Sequence, residues 1–283
     1  MRARGIRDLI FWGLCALAFV LIVAPAMSVI ISVFHQAAPA FGWSLFTKPT
    51  HGDHGGLSNA IVGTLLLLLG VLVVAGTIGV AAGIYLAEFA GPRLGGILRF
   101  FSEVLAGMPS IVIGYVGYIA LVVEFHWGYS LLAGLLALSV LVLPYVVKTT
   151  EVALRQVPTT LREASAGLGL PRGRTVARIL LPPAIPGIVS GLIVALAIST
   201  GETAPLLFTA GFLDGHNPGL NLFHHQVPYL TYVTFTDTSL PGQSAHQLAA
   251  AAGAVTLIIL IVLIALGRVV AGRARKQTER MSL

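Results

Sequence analysis

The sequence predicts an all-α integral membrane protein with six transmembrane helices. Of its 283 residues, 56% are hydrophobic and only 10% are charged, whereas about 25% of residues are charged in a typical soluble domain. The mean hydropathy is +0.90. The apolar residues fall in runs of about 20 or more, the length that crosses a hydrocarbon layer roughly 30 Å thick. These properties exclude a water-soluble enzyme.

Six apolar runs lie at about residues 9–34, 57–87, 97–123, 129–147, 185–212 and 246–267. Each run is long enough for one span. The first run follows three arginines, as in a secretory signal, but it exceeds the roughly 7–15 apolar residues of such signals, so we expect a retained membrane helix. We divide the chain into an N-terminal tail, first helix and outer loop (1–56), a core (57–267) with a long polar loop (148–183), and a basic tail (268–283).

The basic residues predict the orientation. Every Lys and Arg except Lys48 lies before the first run, near the second linker, between the fourth and fifth runs, or after the sixth. The positive-inside rule makes these segments, and both termini, cytoplasmic. All eight histidines lie in or beside the outer loops.

Metal and redox chemistry have little support in the sequence. His51, Asp53 and His54 could ligate zinc, because imidazole and carboxylate are good zinc ligands. Solvated loop histidines are the simpler interpretation. The single cysteine, Cys15, excludes a disulfide framework within one chain. We expect no metal and no cofactor.

The polar loop is predicted to form two short helices separated by a turn. Thr160 and Glu163 have the spacing of a capping box, Gly169 is a candidate C-cap, and Pro171 would stop the first helix. An alternative is an amphipathic loop that rests on lipid headgroups.

The same loop resembles the EAA loop of permease subunits of bacterial ABC importers. The matching residues are Glu163, Ala164, Ser165, Gly169, Ile179, Leu181 and Pro182. The one departure is Ser165, where alanine is usual. In that family the loop carries a coupling helix that docks on a separate ATPase subunit. The resemblance implies that Arg162 and these residues do so here, and that the chain has a type I ABC importer permease fold.

Other motifs resemble the PstA-type permeases of phosphate-specific ABC importers. They are Gly55-Gly56, Gly63-Thr64, Pro109-Ser110-Ile111-Val112 and Gly201-Glu202-Thr203-Ala204-Pro205-Leu206-Leu207. The resemblance is collinear from about residue 55 to 212. It implies ATP-driven import of inorganic phosphate across the cytoplasmic membrane by alternating access. It also implies a PstC-type second permease, a PstB-type ATPase dimer and a PstS-type extracytoplasmic phosphate-binding protein, in contact with membrane lipid and without nucleic acid.

The sequence contains no P-loop for ATP hydrolysis. A P-loop needs Lys after Gly, but the three lysines follow Thr47, Val147 and Arg275. We therefore expect a transport subunit rather than an enzyme, with ATP hydrolysis on the partner ATPase. Two alternatives stay open: a permease for molybdate or sulfate, and a motor-independent secondary carrier. The carrier predicts an inverted repeat and a charged relay, and neither is found in the sequence.

Two groups of residues are candidates for the translocation pathway. Pro109 and Ser110 lie about ten residues from Arg99, hence roughly 15 Å deep. A proline at this depth leaves a backbone carbonyl without its helical hydrogen bond, and lipid hydrocarbon cannot provide one. Broken helices of this kind line substrate paths in transporters. The alternative is a simple packing kink. The second group, in the fifth run, is Thr200, Gly201, Glu202, Thr203 and Pro205.

Glu202 raises a problem of sign. Ionisable residues within spans are costly and usually functional, yet a bare carboxylate repels an anion. We expect Glu202 to be protonated, paired or turned away. The family often has Arg three residues before the glycine of this motif, where this chain has Ile198, and no Lys or Arg occurs between Arg178 and Arg268. Our hypothesis is that the partner permease supplies the counter-charge.

Glycines in the second run permit close contact between helices. They are Gly76, Gly79 and Gly83. They could face the partner permease or pack inside the subunit, and the sequence does not decide between the two.

Overall fold

The computed structural model describes residues 2–52 and 54–281, with side chains for 8, 10–52 and 54–273. The helices are α1 (Arg2–Ala37), α2 (Trp43–Thr47), α3 (Ser58–Glu88), α4 (Pro92–Ala106), α5 (Ser110–Gly117), α6 (Leu131–Arg155), α7 (Thr159–Gly167), α8 (Arg172–Thr175), α9 (Leu181–Gly201), α10 (Ala204–Thr209), α11 (Leu230–Asp237) and α12 (Gln243–Met281). A 3₁₀ turn covers Ala38–Ala40, and π-helical segments cover Tyr118–Glu124 and Val176–Leu180. Two-residue strands β1 (Thr50–His51) and β2 (His54–Gly55) pair antiparallel.

Within these described ranges, five helical stretches are long and apolar enough to cross a bilayer. They are Ile10–Ala40, Ser58–Glu88, Leu131–Arg155, Arg172–Gly201 and Gln243–Arg273. The third apolar run forms a sixth candidate, but it consists of two helices, Pro92–Ala106 and Ser110–Glu124, bent by 99°. The predicted membrane fold is confirmed, with one span broken instead of straight.

The break in this third span begins at Gly107 and ends at Pro109. Pro109 has φ −57° and ψ 135° and is the N-cap of α5, because proline fixes φ and cannot donate to a preceding carbonyl. The first half, α4, is also less apolar than a full span, since it carries Arg99 and Glu103 toward α6. The sequence predicts a kink at Pro109. The structure shows a sharper change of direction there, a bend of 99°.

The core of the molecule is the contact among α3, α6 and α9. A Cβ atom on Gly79 would lie 2.7 Å from Cβ of Val146 in α6, and one on Gly83 would lie 2.5 Å from Cβ of Thr150. Gly76 approaches Leu192 of α9. The glycines of the second run therefore pack inside the subunit, which decides between the two alternatives left by the sequence.

Helix α1 lies at the edge of the bundle. Its apolar stretch is 0% buried, and Trp12 and Ile22 are 70% and 74% exposed. Only its C-terminal part, with Val33 and Ala37, packs into a cluster formed mainly by α11 and α12. This helix therefore adds little to the core of the subunit.

The described residues place the polar segments at two ends of the bundle. At one, which we call the α7 end, Arg162 of α7 contacts Glu88 at the end of α3, and Arg99 contacts Glu151. At the other, the loop end, the backbone N–H of Gly215 donates to the carbonyl of Thr50 at 2.8 Å. The segments that the charge pattern assigns to one side are thus in contact with one another.

Candidate functional site

Helix α7 is held between a proline and a glycine. The predicted capping box is wrong: the N-cap is Pro158, and no side chain caps the first turn. Thr160 lies inside the helix, because Pro158, two residues earlier, is the N-cap, with φ −53° and ψ 139°. The predicted Gly169 cap is confirmed. Gly169 has φ +69°, and the N–H groups of Gly169 and Leu170 donate to the carbonyls of Ala166 and Ser165 at 2.9 and 3.1 Å, which is a Schellman motif.

The second predicted short helix is not separate. It begins at Arg172, after the N-cap Pro171, and runs without a break into α9. Of the two helices predicted for the polar loop, only α7 is therefore a free-standing element, connected to α6 and to α9 by short linkers.

Helix α7 has two faces. Glu163, Ala164, Gly167 and Leu168 are exposed, and Leu168 reaches 77% exposure. We call these four residues the outer face. Ser165 is only 1% exposed, and its hydroxyl donates to the carbonyl of Leu161 at 2.6 Å.

The remaining EAA residues hold α9 in place. Ile179 and Leu181 pack against a buried cluster that includes Leu154, Val157 and Ala184, and Pro182 lies in the first turn of α9. The resemblance to the EAA loop implies that all of these positions dock on the ATPase, whereas the structure separates exposed from buried positions. Residues three apart in a helix lie on the same face. The spacing of Arg162 and Ser165 therefore predicts that both lie on one face of α7, apart from the exposed outer face.

Arg162 faces the bundle instead of solvent. Its Nη2 donates to Oε1 of Glu88 at 2.7 Å and to the carbonyl of Leu154 at 2.8 Å, and its Nη1 donates to the carbonyl of Val157 at 2.7 Å. Nε is 3.4 Å from Oε2 of Glu88. The side chains of Arg162 and Glu88 are 27% and 12% exposed. One guanidinium group therefore joins α7 to the ends of α3 and α6.

A second charged cluster at the α7 end was missed by the sequence interpretation. Glu151 of α6 is 4% exposed and accepts hydrogen bonds from Nε of Arg99 at 2.8 Å and Nη2 of Arg155 at 2.9 Å. Arg99 also donates to the carbonyl of Leu86 at 3.0 Å. The cluster borders a cavity of about 200 Å³ that Lys148 also lines. Because an acid near a span boundary is almost never buried without a partner, Glu151 was itself a detectable signal.

The two groups of pathway candidates mark two helix breaks. The first break is the bend before α5, with Pro109 exposed and Ser110 half-buried. The second follows α9, where Glu202 is the C-cap with φ −76° and ψ 132° and Thr203 precedes α10.

The helices that follow the two breaks pack together. A Cβ atom on Gly114 of α5 would lie 2.6 Å from Cα of Pro205 in α10, and one on Gly117 would lie 3.1 Å from Cγ2 of Thr209. The two segments therefore run in the same direction, and both breaks lie at the same end of this pair. The structure brings the two candidate groups onto neighbouring segments.

The second break is fixed by hydroxyl groups. The hydroxyl of Thr231 donates to the carbonyl of Glu202 at 2.9 Å. Thr200 is 2% exposed, and its hydroxyl donates to the carbonyl of Leu196 at 2.7 Å. Thr200 therefore supports the end of α9, whereas Gly201 is exposed.

Glu202 has no ion-pair partner among the residues described. It is half-buried and borders a small cavity of about 10 Å³ with Thr64, Tyr229 and Thr231, a space that suits about one water molecule. Ile198 lies instead in an apolar groove between α9 and α12. Among the described residues, the cavity beside Glu202 is lined by hydroxyl-bearing side chains and leucines and by no cation.

For the part of the chain that the structure covers, no group of three His, Cys, Asp or Glu side chains could hold a metal ion. Asp53, the middle residue of the zinc alternative, lies outside the described residues. His51 instead packs its ring against Gly215.

Several known proteins are similar to this chain. The family model "Binding-protein-dependent transport system inner membrane component" matches residues 79–276. The phosphate transport system permease protein PstA 2 of Mycobacterium bovis is 46% identical over 276 residues, covering 98% of this chain and 91% of that protein. The phosphate transport system permease protein PstA of Xylella fastidiosa is 37% identical over 239 residues, covering 83% and 82%.

Solved structures share the fold at low sequence identity. A chain of the bacterial alginate ABC transporter, in complex with an alginate pentasaccharide-bound periplasmic protein, has a TM-score of 0.66 at 14% identity and covers 95% of this chain and 96% of its own. A chain of the inward-facing MetNI methionine ABC transporter has a TM-score of 0.59 at 18% identity, with coverage of 78% and 96%. The predicted type I ABC importer permease fold is confirmed. The chain therefore belongs to the family of binding-protein-dependent transport system inner membrane components.

Proposed function

We propose that this chain is a permease subunit of an ATP-driven importer that moves inorganic phosphate across the cytoplasmic membrane by alternating access. The observation that supports this most strongly is the 46% identity, over 98% of the chain, to a phosphate transport system permease protein. The exposed outer face of α7 supports the coupling to a motor on another chain. The substrate is an anion, and the second permease provides a cation near Glu202, where the described residues of this subunit place none.

The proposed orientation places the α7 end and both termini in the cytoplasm. The support is the charge pattern: the segments at the α7 end carry nearly all basic residues, and basic residues near spans favour the cytoplasmic side. The loop end then faces a PstS-type phosphate-binding protein. The remaining partners are a PstC-type permease and a PstB-type ATPase dimer.

In this proposal the outer face of α7 docks on the ATPase. Glu163 and Ala164 are open to a partner, and the exposed Leu168 offers an apolar anchor. Gly169 ends the helix. Ile179, Leu181 and Pro182 position the docking element without touching the partner.

The proposed pathway runs beside the paired segments α5 and α10. It includes Pro109 and Ser110 at the first break, and Gly201, Glu202 and Thr203 at the second, with Pro205 packed between the segments. Interrupted helices are suited to this role because their free backbone groups are tolerated where they line a water-filled path.

Uptake by the purified complex tests the function directly. The four proteins are reconstituted in liposomes and supplied with ATP and ³²P-labelled phosphate. We expect uptake that requires ATP and both permeases, and that excess unlabelled phosphate suppresses. Suppression by molybdate or sulfate at equal concentration would instead favour the other oxyanions, and uptake without the ATPase would contradict the coupled mechanism.

Docking of α7 is tested with a pair of glycine variants. Gly167 on α7 and Gly96 on α4 are both exposed helical glycines with nothing within 4 Å of an added Cβ. We expect Gly167→Trp and Glu163→Arg to abolish copurification of the ATPase, and Gly96→Trp to preserve it. Gly169→Trp is less informative because its positive φ adds backbone strain. Normal ATPase binding by Gly167→Trp would overturn the assignment.

A further inference from the structure

We infer that Arg162 and Glu88 form a transmission strut: a pair of positioning residues that carry the movement of α7 to α3 and α6. The inference rests on the proposed function. In this inference Arg162 of the EAA loop does not contact the ATPase. It pairs instead with Glu88, 74 residues away in the sequence.

The geometry of Arg162 supports this role. The residue lies on the face of α7 opposite the exposed Glu163, Ala164 and Leu168, and it makes its hydrogen bonds within the subunit. A guanidinium group presents several donors in a fixed fork. Arg162 therefore binds a carboxylate and two carbonyls at once, which a lysine ammonium on a flexible stem does not reproduce.

Among the described residues, Arg162 makes the side-chain hydrogen bonds that link α7 to the rest of the bundle. Ser165 is buried as well, but its hydroxyl bonds within α7. A cavity of about 300 Å³ lies beneath the helix, lined by Glu88 and Arg162 together with Ala166, Arg172 and Thr175. Because that space is not filled by packed side chains, van der Waals contact across it is weak. Arg162 bridges it, and across the residues whose side chains are described no other α7 side chain forms an ion pair.

The receiving helices lead to the second break. From Glu88, α3 extends back to Thr64, a separation of 24 positions that corresponds to roughly 36 Å at helical rise. From Leu154, α6 extends back to Leu138. Thr64 and Leu138 both border the small cavity beside Glu202. Because Gly79 and Gly83 pack α3 closely on α6, a displacement of the strut moves both helices together.

The test measures phosphate transported per ATP hydrolysed in the reconstituted complex. We expect Arg162→Ala, Glu88→Ala and the double variant to lower this ratio by at least fivefold while the ATPase still copurifies at wild-type stoichiometry. The double variant should be no worse than either single one, because the two residues act as a unit. Arg162→Lys keeps the charge and should recover part of the ratio.

The control is Arg172→Ala, since Arg172 lines the same cavity and its side chain makes no hydrogen bond or ion pair among the described residues. It should leave the ratio unchanged. An unchanged ratio in Glu88→Ala would overturn the strut. So would loss of ATPase binding in that variant, because the pair would then shape the docking surface. Failure of the proposed function gives a different result: the wild-type complex itself would not take up phosphate with ATP.

Discussion

Glu151 shows how a single acidic side chain is accommodated in the protein interior. Its carboxylate is almost fully buried, and burial of an unpaired charge is unfavourable by several kcal/mol. Arg99 and Arg155 neutralise it from two helices. The cluster thereby fixes α4, the first half of the broken span, against α6.

We expect Glu151→Ala to destabilise the subunit by about 1–3 kcal/mol, because it leaves two guanidinium groups facing each other. This expected loss of stability is smaller than for a fully buried ion pair, because Arg99 and Arg155 are 29% and 55% exposed and water screens their charges. Thermal unfolding in detergent measures the effect. Glu103→Ala is the control: its pair with Lys148 is 3.8 Å long and its side chain is 70% exposed, so its effect should stay below about 1 kcal/mol. Equal shifts for the two variants would contradict this account.

Glu202 gives a second prediction at this scale. If the second permease supplies its counter-charge, Glu202→Gln removes the ionic interaction and preserves the shape of the break, which the backbone carbonyl and Thr231 hold. We expect phosphate uptake by the assembled complex to fall at least tenfold. Glu124→Gln, at the exposed end of the π-helical segment, should have no effect. Full activity of Glu202→Gln in a normally assembled complex would exclude the ionic role.

At the scale of elements, the close contact of α3 with α6 depends on glycine. A side chain at Gly83 would collide with Thr150 and with the carbonyl of Val147. We expect Gly83→Val to cost about 1–3 kcal/mol through overpacking, measured as a lower unfolding temperature in detergent. Gly96→Ala, on an open helix face, should keep or slightly raise stability. A tolerated valine at position 83 would mean that α3 and α6 are less closely packed.

The helices were predictable from the sequence, but their interruptions were only partly so. Apolar runs of sufficient length identify spans because every residue contributes to the signal. Pro109 predicts an interruption of the third span. The size of the bend, 99°, depends on tertiary contacts of α4, such as the ion pair of Arg99 with Glu151. The Thr160–Glu163 spacing predicts the wrong N-terminus for α7, because Pro158, two residues before that pattern, is the N-cap. Glu88 was missed because its partner is 74 residues away.

At the scale of the whole molecule, the orientation can be tested with single cysteines. Cys15 is the only native cysteine and is first replaced by serine. Leu168 at the α7 end and Leu220 at the loop end are 77% and 81% exposed. We expect a membrane-impermeant maleimide to label Leu220→Cys in intact cells, and Leu168→Cys only after the membrane is permeabilised. The reverse pattern would invert the proposed topology.

The two interruptions in the bundle have a mechanical consequence. The backbone around residues 107–109 and 202–203 has left regular helix, so rotation there breaks fewer backbone hydrogen bonds than rotation within a continuous helix. Helices α3, α6 and α9 are closely packed at glycines and have no comparable interruption within their described residues. Backbone rotation in the subunit is therefore least costly at these two interruptions, each of which precedes one of the paired segments α5 and α10.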